Sequence, residues 1–304
     1  MKYKILVTGA NGNLGKNFLL SNTDYQVCAV VRSEKAKDDL MSFVNQNNIQ
    51  NTEVVNCNYL DLPSLKKLAK PCRYFVHLVG TIKENQQNKF DFVHGKTTEA
   101  VLEAIKDTGI EKSCYISILG SNETSNNRCF ASRGLAEKAF LDSEIPCLIL
   151  QVPMVLGKDD YASLALKKNA LSKIALTFRK ASLEQPIYAN DIIEVIKKDI
   201  KRSLLRPEST DGIRALAGPT ALTREKLIHE VAKIIGVRVR VISLPITLGY
   251  AIAKLLEFVS SNPPVTKDML EVLDHDDNID PTASSHELGI KLTSLEVTLK
   301  NIFI

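Results

Sequence analysis

The chain has 304 residues, a formal net charge of +4 and 44% hydrophobic residues. Such a length accommodates one large domain, or a domain with a smaller lobe, around a real core. The mild charge contains no long basic run, which argues against nucleic acid as a partner. The chain also has neither an apolar stretch of about 18 residues nor a charged leader before its first strand, so a cytoplasmic protein without a spanning helix or secretion signal is expected.

The first element is an apolar run, Ile5, Leu6 and Val7, that reads as a buried parallel strand. Gly9, Gly12 and Gly15 follow, and a helical pattern starts at Lys16. Glycine turns tightly and admits a ligand close to the backbone, and the helix start offers free N–H groups and a positive dipole end. A strand, a glycine turn and a helix in this order predict a dinucleotide-binding turn, with Gly9, Asn11, Gly12, Asn13 and Leu14 against the pyrophosphate. The spacing is G-x-x-G-x-x-G, and as Thr-Gly-Ala-Asn-Gly-Asn-Leu-Gly it resembles the short-chain dehydrogenase/reductase superfamily in its extended and atypical branches.

A second strand is expected over Tyr25–Val31, with Arg32 at its end. NAD-binding relatives commonly place an acidic residue there for the ribose hydroxyls. Arginine cannot accept those bonds, but its fork can grip a 2′-phosphate, and Lys35 and Lys37 add charge, so NADP(H) is expected over NAD(H). A helix from Ser33 to Asn47 and a third strand over Thr52–Cys57 come next. Asp61 suits the cap of a helix beginning near Pro63, and the resemblance places Asp61 and Leu62 beside the adenine. The fourth strand, Tyr74–Gly80, holds His77 within its apolar run as a core histidine. Its end at Val79 and Gly80 would let the chain pass close to the adenine ribose and pyrophosphate.

A long helix over about Asn88–Thr108 stopped by Gly109, then a fifth strand over Glu111–Ile118, bring Ser117 to a strand's carboxyl end. Active short-chain reductases carry a Tyr-x-x-x-Lys pair on the next helix. Here the alignment of Ser132-Arg133-x-x-Ala136-Glu137 puts Cys129 in the place of tyrosine and Arg133 in that of lysine. Arg133 could hold a ribose or phosphate, whereas Cys129 is a poor stand-in for a phenol. The usual tyrosine mechanism is therefore not expected, and Ser117, water or a substrate group would handle the proton.

A sixth strand over Ile145–Val152 leads to Pro153 and Gly157, which the resemblance sets near the nicotinamide. Asp191 is expected to cap a helix running to about Ser203. Further on, Gly212–Ala217 reads as a strand, Thr223–Ile235 as a helix stopped by Gly236, and Val237–Ile242 as a half-exposed strand. Pro245–Val259 is a largely apolar helix too short to span a bilayer, suited to core or lid packing, with membrane or partner contact as the other option. The segment from Asn262 to Asp268 caps another helix, and Leu295–Ile304 closes the chain. Cys28, Cys57, Cys72, Cys114, Cys129 and Cys147 form no C-x-x-C pair and are expected to be reduced core residues, with no metal site.

The expected fold is α/β, a Rossmann-type doubly wound parallel sheet with a smaller mixed C-terminal lobe. Residues 1–157 and 185–217 would form the dinucleotide-binding domain, and 158–184 with 218–304 the lobe. Taken together, the segments 8–15, 77–81, 109–117, 132–138 and 185–192, and above all 262–273 and 287–296, resemble atypical reductases related to the nucleotide-binding accessory subunit of respiratory complex I. That resemblance implies bound NADP(H) and, in the complex I subunit, a structural or assembly role; some relatives are tied to quinone metabolism. Without the mitochondrial import leader, a stand-alone bacterial-type relative is expected. The options are an oxidoreductase for a small apolar substrate, a non-catalytic NADP(H)-stabilised structural or assembly factor, and a redox sensor.

Overall fold

The computed structural model describes residues 3–205 and 210–304. Its centre is a parallel seven-stranded sheet. The first six strands are β1 (Lys4–Thr8), β2 (Gln26–Val31), β3 (Thr52–Asn56), β4 (Tyr74–His77), β5 (Lys112–Ile118) and β6 (Cys147–Val152). Two short strands, β7 (Val155–Leu156) and β10 (Ile187–Tyr188), pair with each other. Between them lie β8 (Ile174–Phe178) and β9 (Leu183–Glu184), and β11 (Gly212–Ala215) completes the large sheet. Its order is β11-β6-β5-β4-β1-β2-β3, so the chain reverses direction across the sheet between β1 and β4.

Alternation along β1 explains why these strands are apolar throughout. Ile5 and Val7 point to one face and Leu6 to the other, and all three are fully buried. On the first face lie α1 (Asn13–Ser21), α2 (Glu34–Gln46) and α7 (Ala189–Leu205), whose Phe18, Leu40 and Ile196 share the core with Ile5. The opposite face carries α3 (Leu62–Ala69), α4 (Thr97–Ile105) and α5 (Arg128–Leu141), represented there by Leu65, Val101 and Phe140. A buried charge cluster ties β5 to α7, with Lys112 Nζ 2.8 Å from Asp199 and 3.1 Å from Asp211.

The lobe contains α6 (Tyr161–Leu171), β8, β12 (Leu222–Thr223), α8 (Arg224–Ile235) and β13 (Arg240–Leu244). These are followed by α9 (Ile246–Val259), α10 (Lys267–Leu273), α11 (Thr282–Leu288) and α12 (Leu295–Phe303). Leu166, Leu227, Val231, Val241 and Leu299 form its own core. Leu288 and Ile290 instead join the core beneath α7, so this short stretch leaves the lobe and packs on the nucleotide domain.

Several sequence expectations need correction. The helix expected over 88–108 is a π-helical turn, Asp91–Lys96, followed by α4. Its reversal falls at Asp107, with φ 55°, and Gly109 is not the left-handed residue. Asp191 does not cap α7; its carboxylate accepts from Thr293 N at 2.9 Å and Thr293 Oγ1 at 2.6 Å, pinning the C-terminal segment to α7. Only Gly249 and Ala253 of α9 are buried, whereas Phe258 is 88% and Leu255 63% exposed, so α9 is no core helix. Gly236, by contrast, stops α8 in the left-handed conformation at φ 80°, and Thr223 caps its start. All six cysteines are free and buried.

Candidate nucleotide site and adjoining cavity

The glycine turn lies between β1 and α1, facing the ends of β1, β2 and β4. Gly9 sits at φ 73°, and a Cβ there would come within 2.8 Å of the Leu78 carbonyl carbon and 2.9 Å of Val79 N. Gly15 is closer still to a neighbour, since its Cβ would meet Ala10 O at 2.5 Å. Thus Gly9 lets the turn pass against the end of β4, and Gly15 packs α1 against the turn. Gly12 precedes the helix without a side-chain cap, leaving the N–H groups of Asn13 and Leu14 at the positive end of α1. The Asn13 side chain turns the other way, donating to Lys158 O at 2.9 Å and accepting from Asn17 at 2.8 Å.

Tyr59, a buried residue behind β3, carries no recognisable motif. Its hydroxyl accepts from Gly9 N at 3.1 Å and donates to Val30 O at 3.1 Å, bracing the turn against β2. Burial pushes this phenol up to about 12, so it stays protonated and able to donate. Arg32 extends from the end of β2 into solvent and donates to the Asn88 carboxamide; among the described residues no carboxylate pairs with it. Lys37 is drawn to Glu34 at 3.8 Å. Asp61 caps α3 by accepting from Ser64 N at 3.3 Å, and both Asp61 and Leu62 are exposed at the rim.

Val79 and Gly80 leave the end of β4 directly over Arg133. A Cβ on Gly80 would lie 2.0 Å from Arg133 Nη2, so only glycine leaves room for the guanidinium. Arg133 is 6% exposed. Its Nη1 donates to Tyr115 Oη at 3.2 Å and Ile116 O at 2.9 Å, while Nε has no partner. Among the described residues it has no carboxylate within ion-pair distance. A buried cation held by neutral oxygens beside a glycine strand end, with an orphan N–H, fits an incoming phosphate or ribose. Its field also acts on His77, whose Nδ1 lies 2.7 Å from Thr8 Oγ1 and whose Nε2 is unpartnered. Burial, then Arg133, depresses His77 to about 3, so it is a neutral core group.

Ser117, offered by the sequence as a proton group, and Cys129, in the tyrosine position, are both sealed. Ser117 is fully buried and donates to Glu137, which also accepts from Gln151 Nε2 at 2.9 and 3.0 Å; burial raises the Glu137 carboxyl above its usual range. Cys129 is fully buried, with its thiol 3.6 Å from Thr81 O, and burial pushes it up to about 11. Neither presents a proton to an open space. His94, missed in the sequence, accepts from Thr81 N at 3.1 Å through Nε2 and pairs with Ser132 at 2.8 Å, and burial depresses it to about 2. The π turn brings this side chain to the loop above Gly80.

Beyond Asn13, Leu14 and Pro153 opens a cavity of about 640 Å³ between the sheet ends and the lobe. Its walls are mainly apolar, among them Leu119, Val152, Leu166, Phe178 and Met269. One polar end gathers Glu184, Arg224, Asp274, His275 and Asp277. Glu184 holds Arg224 Nε at 2.7 Å, and burial lifts its carboxyl to about 7. Tyr161 and Leu176, both exposed, also border the space, which therefore reaches the surface, and Ile246, the first residue of α9, lines it as well. Among the described residues no helix is long and apolar enough to cross a membrane, and no cluster has metal-ligand character.

Comparison with known proteins agrees with this geometry. Residues 5–124 match the NAD dependent epimerase/dehydratase family. The chain is 24% identical over 303 residues to the mouse (Mus musculus) mitochondrial NADH dehydrogenase [ubiquinone] 1 alpha subcomplex subunit 9, covering 96% of this chain and 77% of that one. It is 24% identical over 244 residues to a ceramide reductase of Caulobacter vibrioides, covering 79% and 73% respectively. The UDP-glucuronic acid 4-epimerase of Bacillus cereus, solved with UDP-glucuronic acid and NAD, superposes with a TM-score of 0.72 at 20% identity over 99% of this chain and 98% of that one. Residues 5–124 thus carry the NAD dependent epimerase/dehydratase signature, and over nearly its full length the chain is similar to the accessory subunit of respiratory complex I.

Proposed function

We propose that the protein binds NADP(H) and reduces a small apolar carbonyl or quinone-type substrate held in the cavity. The carrying observation is the continuity of an apolar space with the glycine turn through Asn13, Leu14 and Pro153. Gly9, Asn11, Gly12 and the first N–H groups of α1 would take the pyrophosphate, Arg133 with Val79 and Gly80 the adjoining ribose or phosphate, and Asp61 and Leu62 the adenine edge. Arg32, free of any carboxylate among the described residues, supports a 2′-phosphate and hence NADP(H). The cofactor supplies hydride; the chain orients it and excludes water from the reacting carbon. The ceramide reductase among the relatives and the apolar walls both favour a lipid-like substrate. The exposed face of α9, a helix whose first residue lines the cavity, is proposed as a peripheral membrane contact through which it enters.

A second function, a non-catalytic NADP(H)-stabilised structural or assembly factor, is favoured by the sealed Ser117 and Cys129 and the missing tyrosine. One experiment separates the two. The freshly purified protein is denatured, released nucleotide is identified by mass, and the native protein is mixed with quinones and carbonyls while NADPH absorbance is followed. NADP(H) with oxidation by one substrate class supports the reductase; NADP(H) without turnover supports the structural factor; no nucleotide and no affinity refutes both.

A further inference from the structure

A reductase without the usual tyrosine needs another proton donor at the cavity. We propose that His275, oriented by Asp277, is that donor, contributed by the C-terminal lobe; this rests on the reductase function above. The imidazole sits in the loop after α10, over the end of β5. Its Nε2 is 3.0 Å and its Cδ2 3.2 Å from where a Cβ on Gly120 would stand, and Gly120, at φ 82°, has none. The Phe130 ring, one residue after the buried Cys129, meets it edge-on at 5.5 Å. Both Leu119 and His275 line the cavity, which also reaches Pro153. An imidazole therefore borders the same space as the strand ends.

The second observation is how the ring is held. Nδ1 lies 3.0 Å from Asp277 Oδ1, and Asp277 is itself buried and anchored by its N–H to Leu183 O at 3.0 Å. With Asp277 accepting at Nδ1, the transferable proton is on Nε2, which has no hydrogen-bond partner among the described residues. The hydrogen bond to Asp277 raises the imidazole above its ordinary value, with Asp277 and Asp276 adding to it electrostatically. The other charged groups around this end are Asp274 and Arg179, which pair at 2.8 Å, and Arg224 with Glu184. At the α5–α10 contact Arg128 binds Asp268 at 2.6 Å, beside Glu271.

In the reaction the substrate's carbonyl carbon accepts hydride from a bound reduced nicotinamide dinucleotide. The π pair of C=O moves onto oxygen, and that oxygen takes the proton from His275 Nε2. The products are an alcohol, the oxidised dinucleotide and a neutral imidazole, which is reprotonated from water along its partly exposed edge.

The test uses the full-length protein and the variants His275→Gln and Asp277→Asn. In the nucleotide-free protein, NMR titration of the five histidines, assigned with His275→Gln, should find His275 titrating above the ordinary histidine value. Asp277→Asn should bring it down. With NADPH and a substrate from the quinone and carbonyl panel, kcat/KM should fall as pH rises through the His275 titration, because the protonated form is required. His275→Gln should lower kcat at least 100-fold and abolish that pH limb with NADPH affinity and Tm unchanged, and Asp277→Asn should move the limb to lower pH. A His275→Gln protein within twofold of wild type with the same pH limb, or a His275 titration that ignores Asp277→Asn, overturns the donor role alone. A wild-type protein that binds NADPH yet oxidises it with no member of the panel overturns the reductase function and the donor role together.

Discussion

Arg133→Met separates a nucleotide clamp from a structural residue. Arg133 is a buried cation whose only described partners are the neutral oxygens of Tyr115 and Ile116. Removing it forfeits two charge-assisted hydrogen bonds, about 1.5–3 kcal/mol each, and releases a desolvation cost of several kcal/mol. These oppose each other, so the nucleotide-free variant should unfold within about 2 kcal/mol of wild type. The ligand-linked part behaves differently. At a nucleotide concentration about 100 times Kd, binding adds about 2.7 kcal/mol of stability. Loss of one charged phosphate contact worth about 2.7 kcal/mol raises Kd about 100-fold and leaves only about 0.4 kcal/mol of that stabilisation. Urea denaturation of both proteins, with and without the same NADPH concentration, reads the two quantities separately. An apo variant destabilised by more than about 3 kcal/mol whose NADPH-dependent shift survives would show that Arg133 holds the fold and not the nucleotide.

Other outcomes can be checked alongside. Arg32→Asp should weaken NADPH binding more than tenfold by calorimetry and leave NADH nearly unchanged; equal losses would remove the 2′-phosphate assignment. His77 and His94, held neutral to about 3 and about 2 by burial, bind protons in the unfolded chain below about 6.5 but not in the folded one. Stability should therefore be complete above that pH and drop as pH falls, by about 2 kcal/mol for each histidine at pH 5. Urea midpoints at pH 7.5 and 5.0 measure this, and His94→Gln should recover about half of the loss; an unchanged loss in that variant contradicts the assignment. For α9, flotation with anionic liposomes should carry wild type upward, while Leu255→Asp with Phe258→Asp stays below. Wild type remaining wholly in the soluble fraction counts against membrane contact.

What could be read from the chain alone was whatever is local or periodic. The turn at Gly9, Gly12 and Gly15 announces itself because a left-handed φ and a close backbone approach need glycine, and both occur within a few residues. Runs such as Ile5–Val7 reveal a sheet covered on both faces, since each neighbouring residue meets a different core. Gly236 marks a helix end for the same local reason. The remainder depended on partners distant in sequence. Asp191 reads as a helix cap until Thr293 arrives beside it, and α9 reads as core or lid until the packing leaves its apolar face uncovered. The alignment offers Arg133 as a holder of ribose or phosphate, but only the closure of β4 and β5 around it shows that it is buried without a carboxylate partner among the described residues. His275 carries no motif; it becomes a candidate acid only because the lobe folds over Gly120, where a missing side chain leaves it room. Periodicity and short motifs record which face a residue turns to its neighbours, whereas the depth of a charge and the company of a proton donor are set by long-range packing.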